Sequence, residues 1–473
     1  MPVKNLKILM AAAELAPFAK VGGLGDVCGS LPTALARLGV DVRLVLPLYG
    51  SIDRKKFKLK KIYCGLEVPS GRLLLKIDIW SAFLPNSKVL AYFIDAPEYF
   101  GYDCVYAPGN NSERYLFFSY ALLHALPALK FRPDIIHCHD SHTALIPDII
   151  KTSNLEYIKN IKTLFTIHNF HYQGKASPEV LHTGNLHVES LKTLSKDALD
   201  GDINFMVQGV LNADLVNTVS PTYADEITTS AYGAKLDNVI RSRRHDLSGI
   251  LNGIDTDFFD PNKDKYITRN YSVKSLSKKT ENKSILQKKL GWPQDSGKAL
   301  VGFVSRLAWQ KGIVLLNEEF SKLDCQFVFL GSGDQQNEKH LMRLAEKFPD
   351  KFSAQIKFEI GLAQEIYAGA DILIMPSRYE PCGLSQMIAM RYGTIPVARA
   401  TGGLKDTINR ENGFLFKNVD SREFYEAMKE ALDVYYNDRP RWKKMQIAGM
   451  KGDYSWDRSA KEYLKLYKKL VKN

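Results

Sequence analysis

No Cys-x-x-Cys pair occurs in this chain. Its six cysteines, Cys28, Cys64, Cys104, Cys138, Cys325 and Cys382, stand singly. That spacing argues against a zinc ribbon and a disulfide framework, so a reducing cytoplasm is the simplest setting. No apolar run approaches the roughly 18 residues needed to span a bilayer, and no membrane partner is expected. Met1 to Met10 carries no apolar signal segment and reads straight into a strand. Neither Gly-x-Gly-x-x-Gly nor a Walker A loop follows that strand, which disfavours a dinucleotide oxidoreductase. Charge of one sign is also missing as a block. The 64 basic and 52 acidic side chains leave a net +12, but it is diffuse. Its densest runs are Arg54 to Lys61, Lys274 to Lys289 and the tail, and such runs are usually solvated faces. Phosphate-bearing small molecules are therefore expected as partners ahead of nucleic acid.

What is present is an ordinary globular composition over 473 residues, 45% hydrophobic and 25% charged. At about 150 residues per domain this gives two or three domains with sizeable cores. The recurring unit is a short apolar strand, a Gly/Pro/polar loop and an amphipathic helix, the pattern of parallel α/β sheets. Lys7 to Ala13 reads as a buried strand, Ala16 to Gly25 as a loop, and Asp26 to Leu38 as a helix stopped by Gly39. Strands are predicted at Val42 to Leu46, Ile135 to Cys138, Thr163 to Ile167 and Leu215 to Val219. The rhythm restarts at Ala299 to Val304, with further strands at Gln326 to Leu330, Asp371 to Met375 and Ile395 to Ala398. The predicted division is residues 1–245, and 246–454 for a linker and second domain. An amphipathic tail helix, 455–473, is expected to pack back on the first domain. The fold class is α/β, two doubly wound Rossmann-like domains. Ligands of such sheets bind beyond the carboxyl ends of the strands, so the expected site is a cleft between facing domains.

The loops after the strands carry the chemistry. Lys20-Val21-Gly22-Gly23-Leu24-Gly25 joins a strand to a helix. Its glycines allow close backbone approach, the helix N-terminus suits phosphate, and Lys20 adds a charge. A tight turn with an exposed lysine is the plainer alternative. Arg306 and Lys311 follow Ala299 to Val304 and can converge on a diphosphate, Arg as a fork and Lys as a point charge. Glu380 stands beside Pro381 at a helix entrance, where it can partner the dipole, bind sugar hydroxyls or stabilise positive charge at a sugar carbon. Cys382 reads as a packing residue, since no His/Asn partner is traceable. Thr401-Gly402-Gly403 is expected to offer a hydroxyl and exposed N–H groups as a second anion nest. His137-Cys138-His139-Asp140-Ser141-His142 invites a metal reading, but no second ligand cluster is visible and no metal is expected. His168, ending Thr166-Ile167-His168-Asn169, is either a core histidine or a group reaching the cleft.

Taken in order, these loops resemble the bacterial glycogen synthase and plant starch synthase family of retaining glucosyltransferases, glycosyltransferase family 5. The resemblance spans essentially the whole chain and also rests on Leu251-Asn252-Gly253-Ile254-Asp255 and on Ser377-Arg378-Tyr379-Glu380-Pro381-Cys382-Gly383-Leu384. It implies a GT-B fold, with glucose passing from a nucleotide sugar, ADP-glucose ahead of UDP-glucose, to the non-reducing end of an α-1,4-glucan. It implies that Lys20, Gly22 and Gly23 bind the donor diphosphate, that Arg306 and Lys311 clamp it, and that Cys382, Gly383 and Leu384 with Thr401, Gly402 and Gly403 complete the cradle. Glu380 and His168 fall beside the glucose, and Asp26, Asp140 and Asn252 at donor or acceptor hydroxyls. No cofactor is implied.

Two positions depart from the pattern. Ser141 stands where the family commonly has Trp, so the acceptor platform there is expected to be weaker or supplied by Tyr99 or Tyr102, and Phe258 replaces a frequent Trp. The expected chemistry is metal-free departure of the nucleoside diphosphate, with fixed cations stabilising the leaving oxygen. Front-face attack is favoured over double displacement through Glu380. A GT-B transferase with another acceptor, a catalytically silent glucan-binding protein and, more weakly, a phosphorylase are the alternatives. Oligomeric state is not legible.

Overall fold

The structure is a computed structural model that describes residues 6–107, 109 and 111–472. Residues 1–5 of the expected first domain and Asn473 of the expected tail helix lie outside the described residues. The chain divides into two compact units. The first takes the chain up to Val219, Ala224–Gly253 and the segment from Trp456 onward; the second takes Ser220–Tyr223 and Ile254–Ser455.

The first unit is built on a nine-stranded sheet. Its order is Leu247–Gly249, Leu215–Thr218, Lys162–Ile167, Ile135–His139, Lys7–Ala11, Asp41–Pro47, Leu90–Asp95, Leu73–Phe83 and Lys60–Ser70. The first seven run parallel; the last two are antiparallel additions. Ile8, Leu9, Met10 and Ala11 are all fully buried, which is why the central strand reads as one apolar run rather than an alternation. Asp41–Pro47 lies on one side of Lys7–Ala11 and Ile135–His139 on the other, so the strand order reverses there. The loops following Lys7–Ala11 and Ile135–His139 therefore flank a switch point, where ligands of such sheets bind.

The helix after the glycine loop spans Gly23–Arg37, starting three residues before the predicted Asp26. The Gly-Leu-Gly run takes up helical geometry, with Gly22 as its N-cap. Val27, Leu31, Ala34 and Leu35 turn its apolar stripe inward, and Gly39, at φ +85°, ends it. The outer hairpin, Lys60–Ser70 with Leu73–Phe83, went unread; only its first two residues fall in the basic run Arg54 to Lys61. Residues 60–66 of this edge strand are largely exposed, and its register slips twice, which blurs the period-two signal. The tail helix Trp456–Leu470 buries Trp456, Ala460, Tyr463, Tyr467 and Leu470 as one stripe. It lies against Gly23–Arg37, with Arg37 paired to Asp457 at 2.6 Å.

The second unit has a six-stranded, all-parallel sheet. The order is Phe352–Ile356, Cys325–Gly331, Ala299–Val304, Ile372–Met375, Ile395–Arg399 and Phe414–Phe416. Its reversal falls between Ala299–Val304 and Ile372–Met375. The two loops that flank this point carry Arg306 and Lys311 on one side and Glu380 on the other. Phe303, Phe327, Phe329 and Phe352 stand on one face of this sheet, in the core beneath Gln335–Lys347 and Ser421–Asn437, while Leu300 and Val328 face Leu286 and Ile366 on the other.

Candidate functional site

In the first unit the glycine loop is organised by a residue that the sequence reading passed over. Glu14 is buried, and its Oε2 accepts the backbone N–H of Val21 at 2.8 Å and of Gly22 at 2.7 Å. Its Oε1 accepts the Tyr106 hydroxyl at 2.6 Å. Gly22 thus contributes its lack of a side chain, while its N–H is already engaged. Gly23 heads the helix and has nothing within 4 Å of where a Cβ would stand. Lys20 reaches Asp26 at 2.6 Å, with both side chains partly exposed. An acid one residue past the apolar run Met10 to Ala13 was the available signal for Glu14.

The neighbouring loop begins at Asp140, held at φ +55°. Such a conformation is costly for a residue with a Cβ and marks a functional or over-determined position. Its Oδ1 accepts the backbone N–H of His168 at 2.7 Å and of Asn169 at 3.4 Å, tying two post-strand loops together. Burial pushes its carboxyl up to about 7, against the lowering effect of those two N–H groups. Burial also lowers His168 to about 3 and His142 to about 4, and holds His137 and His139 well below the usual imidazole range. These rings are neutral at pH 7.

The histidine motif directs its nitrogens inward. His137 Nδ1 accepts from the Tyr467 hydroxyl at 2.8 Å, and its Nε2 pairs with Thr166 Oγ1. Thr166 in turn donates to Asn217 Oδ1, so the His137 proton sits on Nε2. His139 Nδ1 pairs with His168 Nε2 at 2.9 Å. Among the described residues no group of His, Cys, Asp or Glu has metal-holding geometry. His168 keeps Nδ1 as the ring nitrogen open to a ligand. Asn252, buried at the end of the unit, has an Oδ1 with no hydrogen-bond partner, as a hydroxyl-binding group would before its ligand arrives.

In the second unit Lys311 and Glu380 meet. Lys311 Nζ lies 2.9 Å from Glu380 Oε1 and 2.7 Å from Oε2. Ser377 Oγ donates to the same Oε2 at 2.9 Å, and Glu380 is only 5% exposed. The turn bearing Lys311 is pressed onto its neighbour. A Cβ on Gly312 would stand 2.0 Å from the Pro376 carbonyl oxygen. Arg306 is exposed, its guanidinium without a partner among the described residues.

Gln386 orders the peptide planes of Cys382–Leu384. Gln386 Nε2 donates to the carbonyl oxygens of Cys382 at 3.1 Å and Gly383 at 3.0 Å. In a planar trans peptide the N–H points opposite to the carbonyl, so the N–H groups of Gly383 and Leu384 face away from Gln386. Thr401 to Gly403 plays another part than the exposed nest expected from sequence. The Gly403 N–H donates to the Glu380 carbonyl at 3.1 Å. Gly402 has φ +44°, and its Cβ would stand 1.9 Å from that same oxygen. These glycines let two loops touch; the Gly403 N–H is not available as an exposed donor.

Of the aromatic substitutes for Ser141, Tyr99 is stacked on Phe117 at 4.3 Å and serves packing, whereas Tyr102 is exposed. Two exposed rings of the second unit went unread. Phe358, 83% exposed, follows the strand Phe352–Ile356, and Trp309 shares the turn that bears Lys311.

Residues 7–242 match the family model of the starch synthase catalytic domain, and residues 283–447 that of glycosyl transferases group 1. The chain is 45% identical to a glycogen synthase of Thermotoga maritima over 98% of its own length and 99% of the relative's. It is 41% identical to a glycogen synthase of Geobacillus stearothermophilus, with 99% and 98% covered. Its fold matches the catalytic domain of starch synthase IV from Arabidopsis thaliana, bound to ADP and acarbose, with a TM-score of 0.92, 35% identity and 99% and 100% coverage. A sucrose-phosphate synthase from Thermosynechococcus elongatus shares the fold at a TM-score of 0.63 and 17% identity, covering 99% of each chain. With two Rossmann-like units in the GT-B architecture and relatives of this identity over nearly every residue, the chain belongs to the glycogen synthase and starch synthase family and is a glycosyltransferase.

Proposed function

We propose that the enzyme moves glucose from ADP-glucose to the non-reducing end of an α-1,4-glucan with retention of the α configuration. The observation that supports it most is the Lys311–Glu380 pair at the switch point of the second sheet, whose flanking loops also carry Arg306 and the Gly383–Leu384 N–H groups. Breaking the bond between the sugar C1 and the phosphate oxygen builds negative charge on the diphosphate. Arg306, Lys311 and those N–H donors are suited to stabilise that charge, and Lys20 and the helix headed by Gly23 are a second set of groups suited to a diphosphate.

Glu380 is a poor nucleophile in this arrangement, because both its oxygens are engaged by Lys311 and one also by Ser377. The acceptor 4-hydroxyl therefore attacks C1 on the face the phosphate leaves, and its proton passes to the departing phosphate oxygen. Glu380 holds Lys311 in place. His168 Nδ1 and Asn252 Oδ1 are assigned to sugar hydroxyls, Asp140 to orienting the His168 backbone. An exposed Phe358 beyond the end of a strand suits the flat face of a base. A cytoplasmic setting is part of the proposal, consistent with six unpaired cysteines. No helix among the described residues is long and apolar enough to cross a membrane.

The test is chain growth on maltooligosaccharides with ADP-glucose and UDP-glucose, with and without EDTA, and NMR of the new linkage. Growth from ADP-glucose, indifferent to EDTA and giving α-1,4 bonds, is expected. Growth that stops with chelator, or a covalent glucosyl adduct on Glu380, overturns the metal-free front-face route.

A further inference from the structure

Trp309 stands apart from the other four tryptophans. Trp292, Trp442 and Trp456 are buried and Trp80 is half-buried, whereas Trp309 is 60% exposed. A large ring left in water needs a reason when its neighbours hold it firmly. Its backbone N–H donates to Asp334 Oδ2 at 2.8 Å. The guanidinium of Arg378 lies 4.7 Å from the ring centroid. Arg378 is itself pinned, since its N–H donates to the Gln310 carbonyl at 2.8 Å and its own carbonyl accepts from Arg399. The backbones of both residues are thus fixed and the guanidinium lies over the ring, on the two loops that also carry Lys311 and Glu380.

The platform has unmet hydrogen-bonding capacity. Arg378 Nε is buried without a partner, and the terminal nitrogens of the guanidinium make no hydrogen bond or ion pair among the described residues. An apolar ring face beside a fan of N–H donors matches a pyranose, which offers C–H groups on its face and hydroxyls at its edge. A guanidinium that stacks on the ring restricts both side chains and so lowers the entropy lost when a ligand binds.

We propose that Trp309 and Arg378 form a glucan-binding platform on the second unit, which holds a glucose ring of a polymeric acceptor. It rests on the reading of the acceptor as an α-1,4-glucan. It also bears on Ser141, since the first unit lacks an aromatic side chain at that position.

Two measurements without donor test this. Titration with maltoheptaose is expected to change tryptophan fluorescence, and the change is lost in Trp309→Ala. In native gels containing glycogen, Trp309→Ala and Arg378→Gln are expected to weaken retardation about three- to tenfold. Trp309→Phe, which keeps a stacking face, should restore most of it. Equal retardation of wild type and Trp309→Ala overturns the platform. So does a fluorescence change produced by ADP but not by maltoheptaose, which would make the ring a base platform. Absence of any retardation of the wild type also overturns it. Chain growth on maltotriose, assayed alongside, tests the reaction itself, so failure of the platform and failure of the glucan reading give different results.

Discussion

Each unit places a glycine-bearing loop at the point where its strand order reverses, yet the two loops are electrically different. In the first, the N–H groups of Val21 and Gly22 are already satisfied by Glu14, and Lys20 is paired with Asp26. An internal carboxylate occupies the place an anionic ligand would seek. In the second, Gln386 turns two N–H groups outward, Arg306 is unpaired, and Lys311 is held by a buried carboxylate. The same supersecondary unit therefore yields one loop braced from within and one whose cation and N–H donors are left unengaged among the described residues. Glycine content alone does not distinguish them; the side chain that faces the glycines does.

Four experiments would break or sharpen this contrast. Lys311→Ala should have the largest effect. Turnover is expected to fall about 10²- to 10³-fold, the loss typical of removing one charge-stabilising donor. Stability should fall by about 3–5 kcal/mol, because Glu380 would be left buried and unpaired. Combining Lys311→Met with Glu380→Leu should recover much of the melting temperature but none of the turnover, which separates the two effects. Near-normal turnover in Lys311→Ala would remove it from the clamp.

Glu14→Ala should come next. It strips the acceptor from two backbone N–H groups and the Tyr106 hydroxyl, at about 1–3 kcal/mol of stability. Donor kcat/KM is expected to fall roughly tenfold by the same arithmetic, with partial rescue in Glu14→Gln. A loss equal to that of Lys311→Ala would show the first loop to be as charged in function as the second.

The third experiment varies pH. The Asp140 carboxyl titrates near 7 in the folded chain against an ordinary 3.8. Between those values the folded state binds the proton more tightly, so this group's contribution to stability is present at low pH and declines as pH rises through about 7. Asp140→Asn should therefore gain in melting temperature relative to wild type between pH 4 and pH 8. His168 runs the other way, its contribution lost as pH falls from about 6.5 towards 3. Comparing wild type and Asp140→Asn at each pH isolates the carboxyl. A constant difference across the window would place the titration elsewhere.

The smallest effect belongs to the exposed Lys20–Asp26 pair. Asp26→Asn should change stability by under about 1 kcal/mol. Donor KM should fall at most severalfold as Lys20 is released, and the change should fade in high salt. A large salt-independent effect would mean that Asp26 itself binds a sugar hydroxyl.

Most parallel strands were legible because burial on both faces makes them apolar runs, as in Lys7–Ala11 and Ala299–Val304, whereas the parallel strands Leu90–Asp95, Leu247–Gly249, Phe352–Ile356 and Phe414–Phe416 went unread. The outer hairpin was not legible, because residues 60–66 are mostly exposed and interrupted by bulges. The site loops could be read from their place after strands and from the glycines that crowd them. Which donors remain available could not. Glu14, Gln386 and Tyr106 act across 7 to 92 residues of sequence or through a carbonyl on the far side of a peptide plane, and no local spacing encodes that. Exposed Trp309 and Phe358 were equally silent, since an aromatic residue near a strand end is usually core.

The hydrogen-bonded series from Tyr467 through His137 and Thr166 to Asn217, closed by Tyr463, has a consequence for how the protein is made. Strands that emerge early from the ribosome depend on a helix that emerges only after Ile254–Ser455 has been synthesised. At about 5–20 residues per second that interval is roughly 10–40 s. Throughout it the nascent first unit lacks the helix that hydrogen-bonds His137 and Asn217, so its buried polar groups find their last partners only after the second unit has been made.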